Sequence, residues 1–171
     1  MAHPQQFQFV ESVKEKYPNN FYKAKVLEIG SLNINGSIRT LFQDCAYIGV
    51  DVGEGKDVDL VCEGQNVDHP DQTYDTTISC ECFEHNPYWK ETFENMHRMT
   101  KTGGLVIFSC ATTGRAEHGT TRSSPEDAPL IKWDYYRNLT EQDFNVEGMF
   151  SHYQFSAQYQ TCDLYFYGVK K

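Results

Sequence analysis

The sequence predicts an α/β fold: a doubly wound, seven-stranded sheet, mostly parallel with one antiparallel strand, and helices on both faces. Three observations carry this. Short apolar, β-branched runs alternate with segments of helical period through residues 24–110. Two strand-like runs close the chain with only a loop between them, as in an antiparallel pair. The length, 171 residues, suits a single domain with a substantial core.

The elements follow in order. Phe9, Val10, Val13 and Tyr17 recur at near-helical spacing until "YPNN" stops them, so residues 1–23 hold a leading helix. "AKVLEI" (24–29) is a short buried strand. Ile38, Leu41, Phe42 and Cys45 fall at i, i+3, i+4 and i+7, which predicts a helix over "GSIRTLFQDC" with one apolar stripe. "AYIGVDV", "VDLVC" (58–62) and "YDTTISC" (74–80) are the next three strands. Trp89, Phe93 and Met96 mark a helix that begins near Pro87 and ends at Gly103 and Gly104. "LVIFSCA" is the fifth strand, ending a core at residues 24–110. Residues 111–140 form an insert without strong period, and 141–171 form the closing hairpin.

Composition narrows the function. A net charge of -9 with no basic run argues against a nucleic-acid partner. No stretch approaches the ~18 apolar residues of a membrane span, and "MAHPQQFQFV" lacks the pattern of a signal peptide. Six cysteines, mostly in apolar strand contexts, suit reduced thiols in a cytoplasm. The 11 Tyr, 11 Phe and 2 Trp imply an aromatic core or an aromatic-lined pocket.

The chemistry begins at "VLEIGSLNINGS", where the first strand runs into Gly30. In a doubly wound sheet the ligand sits beyond the carboxyl ends of the strands. A glycine there leaves bare backbone for a ligand, and a following helix N-terminus favours a negative group. The second strand ends in Asp51, 21 residues after Gly30, where such sheets hold a ribose diol. Either residue alone is as readily a turn glycine or a capping acid. Together, in this order, they favour a nucleoside cofactor. A dinucleotide loop would read G-x-G-x-x-G, but Leu32 stands at the middle glycine, which disfavours an oxidoreductase.

"VLEIGSLNINGSIRTLF", "YIGVDVGEGKDVDLV", "YDTTISCECFEHNPYW" and "MTKTGGLVIFS" resemble, in order and spacing, the motifs of class I S-adenosylmethionine-dependent methyltransferases with a Rossmann-like sheet. The small type 11 group is the nearest. The resemblance implies S-adenosylmethionine as cofactor and S-adenosylhomocysteine as product. It implies that Gly30 and Ser31 contact the methionine part, that Glu28 orients that loop and the cofactor's amino group, and that Asp51 takes the ribose hydroxyls. Glu63 would meet the adenine amino group, Gly64 would give it room, and Cys80 would face the methionine end.

Other residues are weighed beside these. Cys80, Cys82 and His85 lie within six residues, but no second pair closes a tetrahedron, so no metal site is expected. Glu84–His85 reads first as a helix cap. The insert places Arg115, His118 and Arg122 on the substrate side of the sheet. Residues 114–124 are expected to form a lid hinged at Gly114 and Gly119, with Arg115 and His118 facing the methyl group. The arginines would draw in an anionic or polar acceptor. Of Trp133, Tyr135 and Tyr136, one or two rings are expected to wall the pocket, and the last two are the substrate-binding candidates. Methyl transfer needs mainly alignment. If the acceptor must lose a proton, His118 is the first candidate base and His85 the second, because histidines titrate near neutrality. The expected function is methyl transfer to a small-molecule or glycan-like acceptor; the alternative is a cofactor-binding protein with another activity or no turnover.

Overall fold

The computed structural model describes residues 3–171; the first two residues of the predicted 1–23 segment lie outside the described residues. Seven strands form one sheet: β1 (Lys25–Ile29), β2 (Ala46–Asp51), β3 (Leu60–Val61), β4 (Tyr74–Cys80), β5 (Thr100–Ala111), β6 (Phe150–Gln158) and β7 (Asp163–Lys170). Their order is β3-β2-β1-β4-β5-β7-β6. The first five run parallel, and β7 lies antiparallel between β5 and β6. This is the predicted topology.

One α-helix covers each face. On α1 (Pro4–Lys16), Val10 and Val13 face the sheet, and His3 caps the helix ahead of Pro4. They pack with Phe21, Val26, Ile78, Leu105 and Ile107. On α2 (Trp89–Met99), Phe93, Met96 and Met99 pack against Leu27, Ile29, Val106, Phe108 and Phe166. Residues one apart on a strand go to opposite clusters, as the pleat requires. Phe108 stacks on Phe144 and Phe166 with ring centroids 4.5 and 4.9 Å away, so the aromatic surplus fills the α2 side of the core. Among the described residues no helix is long and apolar enough to cross a membrane.

Two sequence expectations are corrected. The helix after Gly36 is only a 3-10 turn, Ile38–Leu41. Ile38 and Leu41 are buried as the stripe predicted, but Phe42 goes extended to stack on Phe21, and Asp44 takes a left-handed φ of 55°. Few residues remain before β2, and so short a segment cannot repay helix nucleation. The fourth-strand helix ends at Met99, ahead of the two glycines that were expected to stop it. Gly103 and Gly104 belong to β5, where the register jumps from Tyr74↔Thr100 to Thr76↔Leu105. That bulge needs Gly103 at φ +78°, and a side chain on Gly104 would meet the Asp75 carbonyl at 2.8 Å.

Candidate functional site

The carboxyl ends of β1, β2 and β4 open into a cleft of about 720 Å³, counted to its mouth with the open solvent included. Ile29, Gly30, Val50, Asp51 and Cys80 form its floor; Leu130 and Trp133 come down from the insert. Gly30 turns the corner at φ +80°, and any side chain on it would strike Cys82 at 2.7 Å. The Gly30 and Ser31 amides both donate to the Val50 carbonyl, at 2.8 and 3.1 Å. The loop is therefore pinned to β2, and the corner backbone lies bare toward the cleft.

Asp51 ends β2 as predicted and lines the cleft. Its two oxygens accept from the Leu32 amide at 2.9 Å and the Val52 amide at 2.8 Å. Burial pushes its carboxyl above the usual range, and those two N–H groups oppose the shift. With the predicted helix reduced to one turn, no helix N-terminus stands behind the corner, so the loop offers little to a pyrophosphate.

Glu28 and Ser31 lie outside the main cleft. Along β1, Leu27 and Ile29 face α2, so Glu28 must face α1. There it lines a side pocket of about 310 Å³ with Ser31, Gln6 and Ser37, joined to the cleft at Gly30, Leu32 and Cys80. Tyr47 Oη donates to Glu28 at 2.9 Å. Burial raises the Glu28 pKa to about 8, against that hydrogen bond. Ser31 Oγ is buried without a partner, which suits a polar ligand group entering from Gly30.

Glu63 is not among the residues lining the cleft: one carboxylate oxygen accepts from Gln65 and Asn66, each at 3.0 Å. Cys62 and Gly64 line the cleft in its place. Gly64 is also bare for a packing reason, since Ile29 and Thr92 each lie 2.7 Å from where a Cβ would stand.

The insert brings the histidines together. A second, polar pocket lies beside the cleft and shares Glu81, His85 and Asp127 with it. His118 lines only this polar pocket. Its ring meets His85 edge-on at 4.9 Å, and Tyr136 packs against both rings, at 5.0 Å from His118 and 5.5 Å from His85. Burial, then the charge of His118, drives the His85 pKa down to about 3, so its imidazole is neutral at ordinary pH. Glu84 and His85 do not cap α2. Asn86 shapes that turn, its side chain accepting from the Tyr88 amide at 2.8 Å.

Arg115 lines the polar pocket, but its guanidinium donates to the Thr161 carbonyl at 2.6 Å and to Asp163 at 3.1 Å. Arg122 pairs with Glu117 and Asp134. Both expected cationic lures are thus neutralised by nearby acids. Tyr135 lines neither space. The wall over the cleft comes from 127–133, C-terminal to the expected 114–124 lid, because Leu130 packs on Gly53 at 3.1 Å from its would-be Cβ. Trp133, one of the rings expected at the pocket, is in that wall.

Sequence reasoning missed Glu81, Cys62 and Leu130. Glu81 follows β4 in a left-handed turn (φ 51°) and is buried. A carboxylate directly after a strand at the switch point was the signal available for it.

A sheet of this order, with its cleft at the β1–β4 switch point, defines a methyltransferase-type Rossmann-like fold. The sequence matches the family model described as "Methyltransferase domain" over residues 2–146, and the chain belongs to that family. Solved structures agree in fold. Phosphoethanolamine N-methyltransferase 2 of Haemonchus contortus, in complex with S-adenosyl-L-methionine, is 16% identical with a TM-score of 0.66, over 95% of this chain and 52% of that one. A SAM-dependent methyltransferase of Thermotoga maritima is 14% identical with a TM-score of 0.58, over 96% and 98%. The cyclase SpnF is 15% identical with a TM-score of 0.55, over 80% and 54%. The chain thus spans about half the length of the first and third of these. A search of curated proteins by sequence found no match.

Proposed function

We propose that this chain is an S-adenosylmethionine-dependent methyltransferase whose cleft takes the cofactor and whose polar pocket takes a small, neutral or cationic acceptor. One observation carries it: Glu81, His85 and Asp127 line both spaces, so two ligands would meet across a shared wall. The cofactor, when bound, supplies a methyl group already activated on a sulfonium. The chain's task is then alignment and exclusion of water.

Gly30 would lie against the methionine part, with Cys80 beside it. Asp51 would take the ribose hydroxyls by exchanging its bond to the Leu32 amide. Glu28 and Ser31 Oγ would receive the polar amino-acid end through the side pocket, and Cys62 with Gly64 would face the adenine. Asp127 lines the polar pocket, Arg122 is matched by Glu117, and Arg115 is matched by Asp163, so neither arginine is left as a free positive charge. An anionic acceptor is therefore disfavoured. His118 is the base in this reading. Its Nδ1 lies 3.1 Å from the Ala116 carbonyl, and the tautomer that donates there leaves Nε2 to accept a proton. Six unpaired cysteines support a cytoplasmic setting, and the net charge of -9 disfavours nucleic acid.

Calorimetric titration with S-adenosylmethionine, S-adenosylhomocysteine and NAD tests the cofactor, followed by a screen for S-adenosylhomocysteine release across amines, alcohols and glycans. NAD binding without response to the other two would overturn the reading. A second reading, another reaction on the same cofactor, is supported by Leu32 at the middle-glycine position and by the cyclase that shares the fold. Cofactor binding with no release on any acceptor would favour it.

A further inference from the structure

Behind the polar pocket lies a group of side chains that methyl transfer does not require. Glu84 is wholly buried, and neither carboxylate oxygen has a hydrogen-bond partner. A carboxylate held this way is costly unless a proton or a cation compensates it. His85, beside it in sequence, is also buried, and its Nδ1 has no partner. One donor atom from each of Glu84, His85 and His118 lies within 4.8 Å of the others.

The surroundings hold these donors in place. Gly119 follows His118 at φ +63°, and a Cβ there would stand 2.7 Å from His85 Cε1. Only a glycine lets the loop bring His118 this close. The Ala116 carbonyl can fix the His118 tautomer by accepting from Nδ1, as outer partners do for metal-bound imidazoles. Tyr136 closes one side, its Oη buried and unpartnered.

We propose that Glu84, His85 and His118 bind one divalent metal ion of the zinc type, with an open position facing the polar pocket. Two neutral imidazoles and one carboxylate are a known donor set for zinc sites that keep a free position. Tetrahedral bonds of about 2.1 Å set donors roughly 3.4 Å apart, so small rotations close the present spacing. Binding would expel any proton held by Glu84 and remove its unpaired charge. With Nδ1 donating to Ala116, Nε2 is the ligand atom, so His118 is not a base while the ion is bound, and its base role under the proposed function belongs to the metal-free chain; the binding itself does not rest on that function.

The test uses the whole chain, stripped with chelator and without cofactor or acceptor. Zinc is titrated calorimetrically, and cobalt(II) serves as a spectroscopic probe of tetrahedral geometry. One ion per chain is expected, with tetrahedral cobalt bands. Glu84→Gln and the half-exposed His118→Ala should each weaken zinc binding at least ~10-fold, while His152→Ala on β6 should not. Circular dichroism establishes that the variants fold. If the folded His118→Ala chain binds zinc as tightly as the parent, or if only alkylation of the thiols abolishes binding, the site does not exist and Glu84 is a buried neutral acid.

Discussion

Asp51 at the end of β2 holds the Leu32 amide, 2.9 Å away on the loop after β1. The residue at the ribose position is thus also the clasp of the loop where a glycine is missing. Asp51→Ala should weaken S-adenosylmethionine binding by about 1.5–3 kcal/mol, roughly 10- to 150-fold, by calorimetry. Unchanged affinity would leave Asp51 with the clasp alone.

Glu28 should make stability depend on pH. Folding raises its pKa from 4.5 to about 8. Between those values the native state keeps a proton that the unfolded chain has released. Its contribution is complete below about pH 4.5 and lost as pH rises through 8. Glu28→Gln can keep the Tyr47 hydrogen bond without the titration. Urea unfolding of the cofactor-free chain should show the parent losing on the order of 3 kcal/mol more than the variant between pH 5 and 8. Equal slopes would refute the assignment. Glu81 and Glu84, also raised, act in the same direction in both proteins.

His118 lies off the cofactor cleft, so its removal should separate chemistry from binding. In the metal-free chain, His118→Ala is expected to lower turnover by roughly 10²–10⁴ and to leave S-adenosylhomocysteine affinity nearly unchanged. A parallel loss of both would place His118 in cofactor binding instead.

Gly119→Ala tests the loop geometry. The added methyl meets His85 and Ala128 at 2.7 Å, in a left-handed backbone that costs about 1–2 kcal/mol. A lower melting temperature and reduced turnover are expected, with Gly148→Ala as a control for φ alone, since nothing lies within 4 Å there. Equal effects at both positions would show that the crowding is immaterial.

Arg115 should prove structural. Asp163 is fully buried and held by Arg115 at 3.1 Å and His3 at 2.9 Å. Arg115→Ala should cost about 1–3 kcal/mol of stability by thinning the partners of a buried charge, with little change in acceptor KM. A large KM change at constant stability would restore the arginine to the acceptor site.

The strands and both α-helices were legible because their apolar residues repeat at the period of the element that buries them. Trp89, Phe93 and Met96 on α2, and the short apolar run of β1, needed no tertiary information. Gly30 and Asp51 were legible because strand ends in a doubly wound sheet gather at one edge. The 3-10 turn at Ile38–Leu41 was not, because its stripe matches a helix and only the stack of Phe42 on Phe21 ends it.

The sequence by itself determined the sheet, its two covering helices and the corner at Gly30, since each rests on local period or on a glycine's conformational freedom. Only the tertiary structure decided which charges are free and which side chains meet. Arg115 read as an available cation until Asp163, 48 residues away, came into range, and Arg122 until the path of the insert brought Glu117 and Asp134 onto it. Glu84 read as a cap until burial left it without a partner, 34 residues from the His118 that now faces it. The pairing of Arg115 and the burial of Glu84 depend on contacts between segments far apart in sequence, and no local pattern encodes them.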